Sequence, residues 1–217
     1  MQVQRCLMAW VAMLCLALSA PLQAAAPAQA AKPAPTRTVL VLGDSLSAGY
    51  GLAADQGWVA LTARRLARSH PGWRVVNASV SGETTAGGAA RIAGELRRNR
   101  PSVVVVELGA NDGLRGLPLA QTRANLDRII AASRQAGARV LLLGMRMPPN
   151  FGATYTRGFE ANYLELARKH QASLLPFLLE PIAGSRANFQ GDNLHPTAAA
   201  QPRLRDHVWP ALAPLLK

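Results

Sequence analysis

Ser102-Val103-Val104-Val105-Val106-Glu107-Leu108 is an almost unbroken apolar run set behind a helix-breaking proline, Pro101. A strand with one wet face alternates apolar and polar side chains. A strand that is apolar at successive positions is buried on both faces. The same theme recurs outward from this stretch. Thr38–Leu42, ending at Gly43, and Arg139–Gly144 are further runs of this kind, with shorter strands at Arg74–Ala78 and Ser173–Pro176. Helical patterns separate them: Trp58–Ser69, with apolar Trp58, Leu61, Ala63 and Leu66; a helix reaching about Asn99 after a Ser79–Gly88 loop; Leu119–Ala136, ended by Gly137; and Phe159–His170. Ala198–Leu216 reads as a broken terminal helix. Alternating strands and helices predict an α/β fold with a parallel sheet between two helical layers. No internal repeat or second domain interrupts the pattern.

The chain has 217 residues, enough for one domain, and 49% of them are hydrophobic. Its beginning reads differently. Arg5 precedes an apolar run from Cys6 to Leu18, too short to span a bilayer comfortably, and Ala24-Ala25-Ala26 and Ala28-Gln29-Ala30 both fit a small-residue cleavage site. Residues 1–24 are therefore expected to be a secretory signal peptide cleaved somewhere in 24–31, and residues 25–36 an Ala/Pro-rich leader before the domain at 37–217. Both cysteines, Cys6 and Cys15, fall in the signal. The mature domain then has no disulfide and no thiol nucleophile, which suits an oxidising periplasm.

Lys and Arg outnumber Asp and Glu by 24 to 12. The arginines are spread over several helices (Arg64, Arg65, Arg68; Arg91, Arg97, Arg98, Arg100), with no aromatic residues between them to stack on bases. That spread predicts a solvated cationic surface and no nucleic-acid partner; weak contact with an anionic membrane surface stays open.

In a parallel sheet, ligands bind at the carboxyl ends of the strands. Gly43-Asp44-Ser45 follows the first strand, Ser81-Gly82-Glu83 the second, and Gly109-Ala110-Asn111-Asp112 the third, so these loops should meet on one edge. Ser45, at a strand-to-helix turn, can expose its hydroxyl beside backbone N–H groups able to hold an oxyanion. A serine nucleophile needs a base, and the base an acceptor that fixes its tautomer. Asp192-Asn193-Leu194-His195-Pro196 offers both, with turn residues around His195. His70, His170 and His207 lie in or at the ends of helical patterns and read as surface or cap residues. Asn111 has an amide able to donate to an oxyanion, and Gly82 an approachable backbone N–H. Each motif alone also fits an ordinary turn, and Asp192 also fits an N-cap.

Taken together, Gly43-Asp44-Ser45-Leu46, Gly82, Gly109-Ala110-Asn111-Asp112 and Asp192-Asn193-Leu194-His195 resemble, in order, the blocks of the SGNH (GDSL-type) hydrolase family. The resemblance implies a three-layer α/β/α, flavodoxin-like fold. It implies Ser45 as nucleophile, His195 as base, Asp192 as its orienting partner, and an oxyanion hole from Ser45, Gly82 and Asn111. Residues 41–51, 106–116 and 174–177 are similar to the periplasmic acyl-thioesterase I, arylesterase and lysophospholipase group. That similarity implies small ester, thioester or lysophospholipid substrates, no cofactor, and substrate contacts from Leu114, Arg115, Gly116, Leu117 and Pro118. Ala110 departs from a glycine frequent in the group and would narrow the pocket. A monomer is expected. A G-x-S-x-G elbow is absent because position 47 is serine, as are phosphate-binding and dinucleotide glycine loops and zinc-ligand spacing, so no metal is expected. Two alternatives share these residues: a carbohydrate O-acetylesterase with the same triad, and a non-catalytic flavodoxin-like binding domain.

Overall fold

The computed structural model describes residues 37–217; the expected signal peptide and leader, and both cysteines, lie outside them. Five parallel strands form one sheet: β1 (Arg37–Gly43), β2 (Trp73–Asn77), β3 (Val103–Glu107), β4 (Arg139–Leu143) and β5 (Ser173–Leu175), in the order β2-β1-β3-β4-β5. Valine and leucine at successive positions make β1, β3 and β4 buried on both faces, with Val39, Leu40, Val103, Val104, Leu141 and Leu142 fully enclosed. β2 is an edge strand and stays half-exposed over Arg74–Asn77.

The chain first winds outward through α2 (Trp58–Ser69) to the β2 edge. It then crosses back over β1 through α3 (Thr85–Asn99) to β3, and onward through α5 (Leu119–Gln135) and α6 (Ala153–His170). Right-handed crossovers place a helix on one face when the chain winds one way and on the other when it reverses. Accordingly α3, α5 and α6 pack together, while α2 packs with the terminal helix α7 (Gln201–Leu212). The three-layer α/β/α expectation holds. The direction of winding reverses between β1 and β3, so the carboxyl ends of these two strands flank the crevice where such sheets bind ligands.

Several boundaries differ from the sequence reading for physical reasons. α3 begins at Thr85, inside the expected loop, because the Thr84 hydroxyl caps it and Gly88 lets the helix press onto the sheet where a Cβ would strike Leu108. α6 begins at Ala153 rather than Phe159. Tyr155, Phe159 and Tyr163 form a continuous aromatic ladder along it, which draws the first turns into the helix. In α2 the buried face is Trp58, Val59, Thr62 and Leu66, not the Leu61 and Ala63 stripe, and the Thr62 hydroxyl is satisfied by Trp58 O. The terminal helix is broken as expected, into 3-10 turns flanking α7, with Pro210 inside it. Two short helices, α1 (Ser45–Ala48) and α4 (Ala110–Leu114), occupy what reads as loop.

Candidate active site

β1 delivers Ser45 to the first position of α1. The turn is held by Asp44, whose carboxylate accepts from Leu46 N–H at 3.0 Å. Asp44 is fully buried, and its second oxygen accepts from Asn111 Nδ2 at 3.2 Å. Ser45 sits at the end of a buried strand, and a helix start leaves its own N–H outside the helical ladder.

His195 Nε2 lies 2.8 Å from Ser45 Oγ, and its Nδ1 lies 2.6 Å from Asp192 Oδ2. Asp192 and His195 belong to one turn. Asp192 Oδ1 accepts from Leu194 N–H at 2.9 Å and His195 N–H at 3.0 Å, and Asn193 takes the left-handed backbone at φ 61° that closes it. Those backbone donors, with the imidazole, hold the Asp192 carboxyl well below its usual range. Asp192 is thus both an Asx cap and the imidazole's acceptor; the two readings of the sequence are one geometry. The loop is tethered back to the nucleophile's side: Gln190 Nε2 donates to Tyr50 O at 2.8 Å, and the Tyr50 ring lies against the imidazole with centroids 4.5 Å apart.

Gly109, two residues past β3, takes φ 118°, where a side chain would strike the Tyr163 hydroxyl, and this bend starts α4 with Ala110 and Asn111. The Asn111 amide donates to Asp44 Oδ2 and, at 3.0 Å, to Glu83 O. Gly82, at φ 79°, leaves its N–H without a protein acceptor among the described residues. Beneath α4, Asp112 is buried and accepts from Thr85 N–H at 2.8 Å, tying the third loop to the start of α3.

Below the nucleophile turn lies a second buried acid. Glu107, at the end of β3, accepts at Oε2 from Ser47 Oγ at 2.7 Å and Asp44 N–H at 3.3 Å, while its Oε1 has no partner among the described residues. Burial and the neighbouring Asp44 charge push the Glu107 carboxyl well above its ordinary range, and burial lifts Asp44 to about 6. Both carboxyls are thus biased toward their protonated forms. Neither Asp44 nor Glu107 was singled out in the sequence for a role. The only signal was that a strand apolar at every other position ends in a carboxylate.

Ser45, Gly82, Ala110, Asn111, Leu114 and His195 line one open cleft of about 520 Å³. Its far wall is largely apolar, with Met145, Met147, Phe177, Leu179 and Ala183 from the segments following β4 and β5, and Arg146 between the two methionines. The expected substrate contacts at 114–118 divide. Leu114 borders the cleft, whereas Arg115, Gly116, Leu117 and Pro118 lie outside its lining. Leu117 instead anchors its loop, its carbonyl accepting from Tyr155 OH at 3.0 Å. Ala110 does line the cleft. The other histidines sit elsewhere: His70 caps α2, His170 meets Asp127 at 2.5 Å, and His207 faces Phe177 O at 2.9 Å. Among the described residues no cluster of His, Cys, Asp or Glu is arranged to hold a metal ion.

This arrangement has relatives. The chain is 49% identical over 180 residues to the esterase TesA of Pseudomonas aeruginosa, covering 83% of this chain and 90% of that protein. It is 40% identical over 183 residues to the thioesterase 1/protease 1/lysophospholipase L1 of Escherichia coli K12, covering 82% and 85%. A crystal structure of TesA superposes with a TM-score of 0.80, covering 82% of this chain and 99% of that one. The family model of the GDSL-like lipases and acylhydrolases matches residues 41–202. With the fold, the four loops and these matches in agreement, the chain belongs to the GDSL-like lipase/acylhydrolase family.

Proposed function

We propose that the protein hydrolyses carboxylic esters and acyl thioesters, lysophospholipids among them, through an acyl-enzyme on Ser45. The observation that carries this reading is the continuous relay from Ser45 Oγ to His195 Nε2 at 2.8 Å and from His195 Nδ1 to Asp192 at 2.6 Å. His195 accepts the serine proton as Oγ attacks the acyl carbon, then returns it to the leaving alcohol or thiol. Water repeats the cycle, giving its proton to His195 and releasing the acid and free Ser45. Asp192 stays ionised throughout, fixing the ring and stabilising the imidazolium. The N–H groups of Ser45 and Gly82 receive the oxyanion. Asn111 joins them as the growing charge competes with Glu83 O for its amide. The acyl chain is seated against Met145, Met147, Phe177, Leu179 and Ala183, with Leu114 at the mouth.

The apolar segment behind Arg5 and the small-residue sites after it support export: the enzyme works in the periplasm as a monomer after cleavage between Ala24 and Ala31. N-terminal sequencing of periplasmic protein checks this, and a full-length membrane-bound product would reject it.

The mechanism is tested with Ser45→Ala, His195→Ala and the double variant on a p-nitrophenyl ester, with circular dichroism as a folding control. Each single change should remove most of kcat, and the double should be hardly worse, since residues acting as one unit are non-additive. A fluorophosphonate should label Ser45 alone. A folded His195→Ala protein with near-normal turnover would overturn the assignment.

A further inference from the structure

Among the described residues five large hydrophobic side chains are prominently exposed: Tyr50, Val80, Leu114, Leu164 and Leu194. Single exposed apolar residues are ordinary on a protein surface. Here their placement is not scattered. Tyr50, Leu114 and Leu194 line the mouth of the cleft, and Val80, 51% exposed, is next to Ser81, which also lines it. They come from four separate segments: the turn after α1, the loop after β2, the end of α4, and the Asp192–His195 turn. Only Leu164, on α6, stands outside this ring.

Two cations accompany the ring. Arg115 is exposed and donates to Gly82 O at 3.2 Å. Arg186 donates to Phe189 O at 3.1 Å and Gln190 O at 2.9 Å, on the loop leading to His195. Neither is within ion-pair distance of a carboxylate among the described residues, so their charge is unneutralised. The acidic groups nearby are committed: Asp192 to His195, Glu160 and Glu180 to Arg146.

We propose that this apolar ring with Arg115 and Arg186 is a docking surface for an anionic phospholipid bilayer, oriented so that the cleft mouth faces the lipid. The apolar side chains leave water by entering the interface, and the arginines meet phosphate headgroups, the combination that holds peripheral proteins to membranes. The 24-to-12 excess of basic over acidic residues adds long-range attraction of the same sign. Docking rests on the acyl-hydrolase reading for its use, since it would deliver lipid esters directly to Ser45, but not for its physics.

The test separates the two. Protein carrying Ser45→Ala, so that no lipid is consumed, is floated with phosphatidylglycerol vesicles and with phosphatidylcholine vesicles. Binding to phosphatidylglycerol is expected to exceed binding to phosphatidylcholine, and Val80→Asp should weaken it by about tenfold or more. In the Ser45 background, Val80→Asp should leave turnover of soluble p-nitrophenyl acetate unchanged, which also reports folding; Val80→Ser serves if the aspartate disturbs the loop. Absence of vesicle binding, or binding unaffected by both Val80 variants, would overturn the proposal, the latter by showing diffuse attraction through the other arginines. Failure of the parent protein to turn over the soluble ester would instead reject the acyl-hydrolase reading.

Discussion

Glu107 is a cost that the nucleophile's turn imposes on the fold. With the side chain buried and its carboxyl pushed well above the usual 4.5, the folded protein binds a proton there more readily than the unfolded chain does. The stability tied to that proton is complete below about pH 4.5 and drains away as pH rises toward the folded value. Glu107→Gln keeps the acceptor for Ser47 and Asp44 and supplies a permanent N–H donor in place of the proton. It should be at least as stable as the parent at pH 7. Its advantage should widen by up to about 1.4 kcal/mol per pH unit in urea unfolding, and a gap that stays constant with pH would show that Glu107 is ionised in the folded state. Asn111 is the second residue whose role is sharply testable. Removing one oxyanion donor typically costs about 10²–10³ in kcat, so Asn111→Ala should lose that much with little change in KM. A rise in KM alone would make it a binding residue. Asp44 loses a partner in the same variant, so the melting temperature should be measured alongside.

At the scale of elements, the cleft joins two kinds of segment, and they were unequally legible. The polar wall follows β1, β2 and β3, whose Gly-rich turns carry recognisable residues: Ser45, Gly82 and Asn111 could each be named from the chain alone. The apolar wall follows β4 and β5. Met145, Met147, Phe177 and Leu179 look like any core residues, because nothing in a one-dimensional pattern separates a side chain facing a cavity from one facing the interior. The sequence reading therefore placed the acyl contacts on 114–118, of which only Leu114 reaches the cleft. The short helices α1 and α4 were hidden for a related reason: one turn of helix has no periodicity to detect. Asp44 and Glu107 were hidden because burial of a carboxylate is a property of the assembled layers, not of neighbours in sequence. If the methionine-rich wall seats the acyl chain, Ala183→Leu should fill part of it. Turnover of octanoyl esters should fall about tenfold or more relative to acetyl esters, since each buried CH₂ contributes about 0.8 kcal/mol. Equal losses on both substrates would place the chain elsewhere.

Across the whole molecule, one side chain bridges parts of the chain that are far apart in sequence. Gln201, fully buried at the start of α7, accepts from Trp58 N–H at 2.8 Å and donates to Pro196 O at 3.4 Å. It thereby links the first helix of one layer, the last helix of the same layer and the residue following His195. Gln201→Ala leaves the Trp58 N–H without its acceptor, at a cost of about 1–3 kcal/mol. The melting temperature should drop by about 2–10 °C for a domain of this size, and kcat should fall with it as the His195 turn loosens. An unchanged melting temperature would show that water replaces the glutamine. The fold also sets a schedule. Ser45 and His195 are 150 residues apart, one following the first strand and the other beyond the last. Translation at about 5–20 residues per second separates their appearance by roughly 8–30 s. Throughout that interval the emerging chain carries a serine with no imidazole beside it. The serine thus stays without its hydrogen-bond partner until the chain beyond β5 has been made and has folded back onto the turn after β1.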